Sequence, residues 1–459
     1  MVLGGGTGGY VAAIRATQLG LKVALVEKEK VGGVCLHKGC IPTKVLLQGA
    51  DLLSLLKNSE QLGIGAENIR LDYSSLAHRK DKVVADLHRG LTNLLRKQGV
   101  TVLQGHGRFL SPSQIAVEDG SGSAPRLLGT KYAIVATGSR PQELPGLPCD
   151  GDRFINSDHA LDLARPPQSV VVVGAGAVGV EFASLWLDLG AEVTLLELLP
   201  HILPQEDQDL GRGLARMFGQ RGAKVLTGAR VLPDVRSCND TVELTVEHGE
   251  GRTTVRSEKV LVAVGRQGNV EDLGLENLGV KVSDGFIEVD TYMRTAQPGV
   301  YAVGDIAGGL LLAHAAAAEG RTAVEALAGN DVDPIDYTRM PRCVYSRPQV
   351  AAVGLTEAEA RARGHQVSVG RFPLRHNCMA QIRAEAEGFV KVVADAASGD
   401  LLGLHILGPS ASELISEGTL ARWLDASASE LGLSVHPHPT LAEAVGEAAL
   451  MAAGISVYS

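Results

Sequence analysis

Residues 1–27 read MVLGGGTGGYVAAIRATQLGLKVALVE, and residues 169–197 read SVVVVGAGAVGVEFASLWLDLGAEVTLLE. Each stretch has an apolar strand, a glycine-rich turn, a helical pattern closed by glycine, and a second apolar strand that ends in an acid, Glu27 or Glu197. This order of strand, helix and strand predicts a βαβ unit in each stretch. Only Met1, Val2 and Leu3 precede the first turn, so either this strand is short or the sequence begins partway through it.

The turn glycines recur at an offset of 170 positions. They are Gly4, Gly6 and Gly9 in the first copy and Gly174, Gly176 and Gly179 in the second. One such G-x-G-x-x-G match is weak evidence, since glycines also serve ordinary turns. Here each match lies between a strand and a helix and has an acid 18 residues after its last glycine. The pattern therefore favours two dinucleotide sites, with pyrophosphate at each helix N-terminus.

The rest of the chain predicts how these units are completed. KYAIVATGS, KVLVAVGR and VYAVGD read as further strands, the last followed by a long helical pattern. From about Thr338, segments such as CVYSRPQVAAVG and GFVKVVAD read as β-strands between Gly, Pro and polar turns. We expect an α/β fold with two Rossmann-like domains and a C-terminal α+β domain.

Composition excludes several classes of protein. A chain of 459 residues is too long for one core of usual size. The net charge of -9, without a long basic block, argues against a nucleic-acid partner. No apolar run approaches the roughly 18 residues of a membrane span, and the N-terminus lacks a secretory-signal pattern. We therefore expect a cytoplasmic protein that binds neither nucleic acid nor membrane.

Cys35 and Cys40, in GGVCLHKGCIPTK, are the one close pair among six cysteines. A regular helix would separate their Cα atoms by about 7.5 Å, beyond the roughly 4.4 to 6.8 Å of bridged cysteines. Gly39 can supply a bend, and Pro42 suits a helix that begins near Cys40, where a thiolate would be stabilised. Spacing alone leaves redox chemistry and two free thiols open, and disfavours zinc because no second ligand cluster is evident.

HPHPTLAEA, near the C-terminus, contains His438 and Glu443. The residues alone predict a capping box, in which Thr440 caps a helix and Glu443 completes the box three positions later. On this reading His438 only precedes the helix, and nothing in the pattern itself makes it a base.

Taken in order, these motifs resemble those of the pyridine nucleotide-disulphide oxidoreductases. GGVCLHKGCIPTK follows GGGTGG at the family's usual distance, and GAGAVGVE, VATGS, VYAVGD and HPHPTLAEA complete the pattern over essentially the whole chain. The resemblance implies FAD on the first βαβ unit, NAD or NADP on the second, and a homodimer. His37 and Lys38 stand where many members carry other residues. The implied domains are residues 1–145 for FAD, 146–267 for NAD, 268–338 as a central domain that completes the FAD site, and 339–459 for dimerisation.

The resemblance also implies the site residues. Cys35 and Cys40 would form a redox disulfide, and His438 would accept a proton while Glu443 orients it from the other subunit. The flavin residues would be Gly4, Gly6, Gly9, Glu27, Lys44, Gly107, Thr137, Gly138, Ser139, Asp305, Leu312, Ala313 and His314. The NAD residues would be Gly174, Gly176, Gly179, Glu181, Glu197, Val231 and Gly265, with no metal. NAD is preferred to NADP because Glu197 would repel a 2'-phosphate and no Arg is placed to receive one.

The implied function is oxidation of protein-bound dihydrolipoamide through the cysteine pair and FAD, with reduction of NAD. The expected partner is the lipoyl-bearing E2 component of a 2-oxo acid dehydrogenase complex, such as the pyruvate dehydrogenase complex, through its lipoyl and peripheral subunit-binding domains, or a glycine-cleavage H protein. Alternatives are a glutathione, mycothiol or mercuric reductase, or a catalytically idle FAD- and NAD-binding subunit. The missing basic residues near Glu197 and the missing C-terminal cysteine pair disfavour glutathione and mercuric reductase.

Overall fold

The chain divides into two compact units in the computed structural model, which describes residues 1–238 and 240–457 without the side chains of residues 235, 237 and 238. The first unit consists of residues 1–45, 77–142 and 265–337, and the second of residues 46–76, 143–264 and 338–459. The predicted division into four domains is finer and stays a prediction. Residues 458 and 459, which it assigns to the last domain, lie outside the described residues.

Strands are labelled in chain order. They are β1 Val2–Leu3, β2 Ala24–Glu27, β3 Thr101–Gln104, β4 His106–Ser111, β5 Gln114–Glu118, β6 Arg126–Gly129, β7 Ala133–Val135, β8 Ser139–Pro141, β9 Phe154–Ile155, β10 Ser169–Val173, β11 Glu192–Glu197, β12 Lys224–Thr227, β13 Ala229–Cys238, β14 Thr241–His248, β15 Gly251–Ser257, β16 Lys259–Val262, β17 Arg266–Gly268, β18 Val282–Ser283, β19 Phe286–Ile287, β20 Val300–Ala302, β21 Arg342–Val344, β22 Gln349–Gly354, β23 Val367–Pro373, β24 Phe389–Asp395 and β25 Leu401–Gly408.

Helices follow the same numbering. They are α1 Thr7–Gln18, α2 Gly33–Lys38, α3 Cys40–Lys57, α4 Tyr73–Lys97, α5 Ser157–Leu161, α6 Ala177–Leu189, α7 Gln208–Gln220, α8 Ala313–Ala328, α9 Glu357–Ala362, α10 Cys378–Ile382, α11 Ala411–Trp423, α12 Ala428–Leu433 and α13 Glu443–Ala452. Among the described helices, none combines the length and the apolar run that crossing a bilayer requires.

The first unit is built on a parallel sheet in the order β20-β7-β1-β2-β3, with the antiparallel sheet β4-β5-β6 beside it. Strands β20, β7 and β1 are short apolar runs buried on both faces, as expected of a parallel sheet covered by helices, whereas the edge strand β3 is mostly exposed. Helices α1 and α8 pack so closely that a Cβ on Gly320 would lie 2.5 Å from the backbone oxygen of Gly8. The first predicted βαβ unit, β1-α1-β2, is confirmed.

The second unit contains the second predicted βαβ unit, β10-α6-β11, in a parallel sheet of order β12-β11-β10-β16-β9. Helix α6 is almost wholly buried, with Trp186 fully enclosed. The C-terminal part of the chain forms the antiparallel sheet β21-β22-β25-β24-β23, which confirms the strands predicted after Thr338. Helix α3 contributes residues to both units, a feature that the sequence patterns did not predict.

Candidate functional site

The two βαβ units close with matching hydrogen bonds. Gly5 N–H donates to Oε2 of Glu27, and Ala175 N–H donates to Oε2 of Glu197, both at 2.7 Å. The second oxygen of each acid accepts the backbone N–H two residues later, at 2.7 Å and 2.9 Å. Both acids are buried. Because a carboxylate has about four acceptor positions, each acid retains the capacity to accept hydrogen bonds from ribose hydroxyls.

The glycines of the two turns have different structural roles: one allows a positive φ, one allows close packing, and one leaves open space. Gly4 and Gly174 have φ of +101° and +98°, a region that favours glycine. A Cβ on Gly9 or Gly179 would lie 1.9 Å from a carbonyl oxygen of its own turn, so close packing requires glycine there. A Cβ on Gly176 would meet no atom within 4 Å, and φ is -72°. The fold tolerates a side chain at Gly176, and the space beside it is open.

Helices α1 and α6 begin without side-chain caps. Their N-cap residues are Gly6 and Gly176, and at neither position does a side chain accept a hydrogen bond from the first N–H groups of the helix. The first N–H groups of a helix lack partners within the helix, and together with the helix dipole they bind phosphate groups well. The uncapped helices, the open turn and the buried acids fit FAD on the first unit and NAD on the second.

The cysteine pair lies where two helices meet at a bend. Cys35 is in α2, Gly39 ends that helix with φ of -145° and ψ of -110°, and Cys40 begins α3. The predicted bend and helix start are therefore confirmed. Both cysteines are free thiols, and the side chain of Cys35 hydrogen-bonds that of Cys40. Among the described residues, no group of three or more His, Cys, Asp or Glu side chains is placed to hold a metal ion.

The environment of Cys35 changes the pKa of its thiol. The hydrogen bond to Cys40, followed by burial and the charge on Cys40, raises the pKa of the Cys35 thiol. The Lys44 charge and a hydrogen bond with Thr7 oppose this rise without reversing it. Ionisation of the Cys35 sulfur is therefore disfavoured, while Cys40 lies at the first residue of α3, where a helix N-terminus favours a thiolate.

His37 and Lys38, the departures from the family pattern, have partners other than the cysteines. Nε2 of His37 lies 3.0 Å from the backbone oxygen of Val31, and its ring packs edge-on against His88 with centroids 5.2 Å apart. Nζ of Lys38 donates to Oε2 of Glu29 at 3.0 Å. These contacts anchor α2 within the first unit.

A polar cluster joins three of the predicted flavin residues. The Ser139 hydroxyl donates to Oδ2 of Asp305 at 2.5 Å and accepts from Nε of Arg266 at 2.7 Å. Thr137 and Asn269 exchange two hydrogen bonds, at 3.0 Å and 2.8 Å, each between a side chain and a backbone oxygen. Between Thr137 and Ser139, Gly138 adopts φ of +70°. Arg266 and Asn269 were not predicted as site residues, and the only signal was the basic residue that ends the segment KVLVAVGR.

Glu319, also missed, holds the loop that carries Asp305. It is 2% exposed and accepts from Gly304 N–H at 2.6 Å and from the Tyr337 hydroxyl at 2.8 Å. Burial raises the pKa of Glu319. Its sequence signal was an acid inside an alanine-rich helix. That helix, α8, has Leu312 at its N-cap without a side-chain cap, and its first two residues are the predicted Ala313 and His314.

The remaining predicted cofactor residues fall in different surroundings. Lys44 lies in α3, and Gly107 lies in β4, where a Cβ would be 2.6 Å from the Leu3 side chain. Glu181, buried in α6, accepts the Tyr345 backbone N–H at 3.0 Å. The last two are Val231, half-buried in β13, and Gly265, which has φ of +139° and belongs to the first unit.

His438 and Glu443 are joined by a hydrogen bond of 2.7 Å between Nδ1 and Oε1. The His438 side chain is 68% exposed in the chain. Burial opposes ionisation of Glu443, but the Thr440 N–H and His438 outweigh it and hold the pKa of Glu443 below its usual range.

The predicted role of Thr440 as a helix cap is wrong. Helix α13 begins at Glu443, with Ala442 at its N-cap. The Thr440 hydroxyl donates to the backbone oxygen of Pro437 at 2.7 Å, and α13 has no side-chain cap. Only half of the box is present, the 2.7 Å bond from Thr440 N–H to Oε2 of Glu443. Glu443 therefore ties the segment that carries His438 to the helix.

Comparison with known proteins agrees with this geometry. The chain is 45% identical over 466 residues to dihydrolipoyl dehydrogenase of Bacillus subtilis, covering 100% of the chain and 98% of the relative. It is 39% identical to the mitochondrial dihydrolipoyl dehydrogenase of Pisum sativum, covering 98% and 90%. Among solved structures it resembles LpdA from Mycobacterium tuberculosis, with a TM-score of 0.90, 30% identity and 98% of each chain covered.

A more distant structural relative is the HOCl-induced flavoprotein disulfide reductase RclA from Escherichia coli, solved as a Cu(II) complex. It has a TM-score of 0.85 and 25% identity, with 98% of each chain covered. Residues 1–320 match the pyridine nucleotide-disulphide oxidoreductase family model, and residues 340–449 match the dimerisation domain of that family. With the two glycine-rich turns and the paired thiols in place, the chain belongs to the pyridine nucleotide-disulphide oxidoreductases.

Proposed function

We propose that this protein is a flavin-dependent dihydrolipoyl dehydrogenase, which oxidises protein-bound dihydrolipoamide to lipoamide and reduces NAD. The observation that carries the proposal is the contact between the Cys35 and Cys40 side chains at the bend between α2 and α3. Relatives that bear this enzyme's name are 45%, 42% and 44% identical to nearly the whole chain. FAD, when bound, supplies the two-electron carrier between the cysteine pair and NAD.

The chemistry at the cysteines begins from their disulfide. Nε2 of His438 accepts a proton from one dihydrolipoyl thiol, and the resulting thiolate attacks the Cys35 sulfur. The bond between Cys35 and Cys40 breaks, and Cys40 leaves as a thiolate at the start of α3. The second substrate thiol then attacks the substrate sulfur bonded to Cys35 and passes its proton to the departing Cys35 sulfur. Cys35 leaves as a thiol, while His438 keeps the first proton. The substrate dithiol is thereby oxidised to a disulfide, and the protein disulfide is reduced by two electrons.

Glu443 has a positioning role in this scheme. With Nδ1–H of His438 donated to Oε1 of Glu443, the tautomer that leaves Nε2 as acceptor is favoured. The dimerisation domain supports a homodimer. We place His438 and Glu443 of one subunit at the cysteines of the other, so that a complete site needs two chains. The 68% exposure of the His438 side chain in the single chain is compatible with this arrangement.

The cofactor residues follow from the two glycine-rich turns. Glu27 would bind the adenosine ribose of FAD and Glu197 that of NAD, through the acceptor positions that the backbone leaves open. We assign the Ser139 and Asp305 cluster and the start of α8 to FAD, and the second turn together with Glu181, Val231 and Gly265 to NAD. The lipoyl group would arrive on an E2 component of a 2-oxo acid dehydrogenase complex or on a glycine-cleavage H protein.

A steady-state assay of dihydrolipoamide oxidation with NAD and with NADP tests the proposal. We expect a strong preference for NAD, loss of activity in Cys35→Ser, and a rate roughly 10² to 10⁴ times lower in His438→Ala. Cys378→Ser and His78→Ala change residues exposed elsewhere and should match the wild type. Faster reduction of a non-lipoyl disulfide with NADPH would contradict the proposed substrate. Full activity in Cys35→Ser would contradict the mechanism.

A further inference from the structure

A basic cavity lies in the second unit beside α7, β23 and β24. Its volume is about 320 Å³, and four arginines line it: Arg212, Arg216, Arg371 and Arg375. None of its lining residues belongs to the set predicted for FAD, NAD or the cysteine chemistry. In a chain of net charge -9, such a convergence of positive charge is a local feature.

The backbone and an aromatic floor hold these arginines in place. Arg212 and Arg216 are one turn apart on α7 and therefore share a face. Between them, a Cβ on Gly213 would lie 2.6 Å from the Leu407 side chain, so the helix sits close against the floor. The guanidinium carbon of Arg371 lies 4.0 Å from the ring centroid of the buried Phe389. An arginine stacked on an aromatic face keeps its edge N–H groups free to donate.

The positive charge of the cavity is not cancelled by the protein itself. Within residues 1–238 and 240–457, neither of the exposed side chains Arg212 and Arg216 has an ion pair or a side-chain hydrogen bond. The half-buried Arg342 of the same unit, in contrast, lies 2.9 Å from Glu206. The acid at the rim, Asp209, is bound at 2.8 Å by the ammonium of Lys391. Nε of Arg375 donates to Nε2 of the neighbouring His376 at 3.2 Å. The cavity therefore presents the guanidinium donors of Arg212 and Arg216 without a protein acceptor in the described part of the chain.

We propose that this cavity binds a small molecule that carries at least two phosphate groups. The planar donor fork of arginine matches phosphate oxygens in pairs. The volume falls at the lower end of the roughly 300 to 1,000 Å³ typical of small-ligand sites. Its concave shape favours a compact anion over an extended acidic surface of a protein. The ligand class is that of inorganic pyrophosphate and of nucleoside di- and triphosphates.

Calorimetric titration of the flavin-loaded dimer with inorganic pyrophosphate tests this site, with NAD kept saturating so that its phosphate site is filled. The test variant is Arg212→Gln/Arg216→Gln. The matched control is Arg79→Gln/Arg363→Gln, which removes the same charge from exposed positions elsewhere. We expect one site per chain in the wild type and the control, with affinity at least about tenfold weaker in the test variant. Arg375→Gln alone should weaken binding by a smaller factor.

Three results would overturn the proposal. The first is pyrophosphate binding that is equal in the wild type and in Arg212→Gln/Arg216→Gln. The second is wild-type protein that binds no pyrophosphate beyond its cofactor sites. The third is dissociation of Arg212→Gln/Arg216→Gln into monomers in light scattering, because the arginines would then serve a contact between subunits. A thermal midpoint equal to that of the control shows that the variant is folded.

Discussion

Nδ1 of His438 lies 2.7 Å from Oε1 of Glu443, while the other oxygen of that carboxylate accepts the Thr440 backbone N–H at 2.7 Å. One acid thus fixes both the imidazole and the segment that carries it. A neutral imidazole that donates from Nδ1 accepts at Nε2, which is the state required of a base. A second pair of the same kind, His436 and Glu417 at 2.6 Å, lies nearby in sequence and has no proposed catalytic role.

Replacing Glu443 by glutamine should slow the thiol chemistry specifically. We expect kcat for dihydrolipoamide oxidation to fall about 10- to 100-fold, less than removal of the base itself, because the amide no longer favours the correct tautomer or stabilises the imidazolium. Reduction of an artificial acceptor by NADH should be unchanged, since it requires no thiol deprotonation. The matched control is Glu417→Gln. Equal loss in both reactions would indicate a structural role for Glu443.

Gly176→Ala should separate folding from cofactor binding. A Cβ there meets no atom within 4 Å of the chain, yet it would occupy the space through which a pyrophosphate approaches the turn. We expect a thermal midpoint within about 2 °C of the wild type and a KM for NAD raised about tenfold or more. Gly219→Ala, also without neighbours within 4 Å but on α7, is the control and should leave KM unchanged.

Gly179→Ala should behave in the opposite way. Its Cβ would lie 1.9 Å from the backbone oxygen of Gly174, so the turn must shift and the protein should lose stability before any ligand is added. An unchanged thermal midpoint in Gly179→Ala would contradict the packing described for this turn.

The sequence predicts those features of the fold that recur along the chain or depend on neighbouring residues. The strand ends at Glu27 and Glu197, the bend at Gly39 and the helix start at Cys40 all follow from local patterns that the structure confirms. Glu319 and Arg266 could not be identified, because their partners lie far along the chain or on another element. Thr440 was misjudged because α13 begins later than the pattern indicates, at Glu443, with Ala442 at its N-cap.

Asp188→Asn should destabilise the second unit without a direct effect on the chemistry. The Asp188 side chain is 3% exposed and lies 2.6 Å from Arg347 and 2.8 Å from Arg221. An amide would leave two guanidinium groups without their shared counter-charge, at a cost of about 3 kcal/mol. We expect the thermal midpoint at a fixed scan rate to fall by roughly 3 to 5 °C. Glu192→Gln, which removes an exposed acid, should shift it little, and an equal shift in both variants would argue against the ion pair.

His405 should make the protein sensitive to mild acid. Its side chain is fully buried, Nε2 lies 3.0 Å from the Leu355 backbone oxygen, and Nδ1 has no hydrogen-bond partner among the described residues. Burial is the main cause that lowers the pKa of His405 from about 6.5 to about 4, and the Asp207 charge opposes it. Because the unfolded chain takes up the proton more readily, stability is full above the unfolded pKa and is lost as pH falls from about 6.5 towards about 4.

At about pH 5 the loss attributable to His405 should be about 2 kcal/mol relative to about pH 7.5. His405→Gln keeps an N–H donor for the Leu355 oxygen but cannot titrate. Its thermal midpoint should therefore fall by roughly 2 to 4 °C less than that of the wild type between these two pH values. His78→Gln, at an exposed position, should follow the wild type. If His405→Gln and the wild type lost the same number of degrees, the buried imidazole would not be the source of the acid sensitivity.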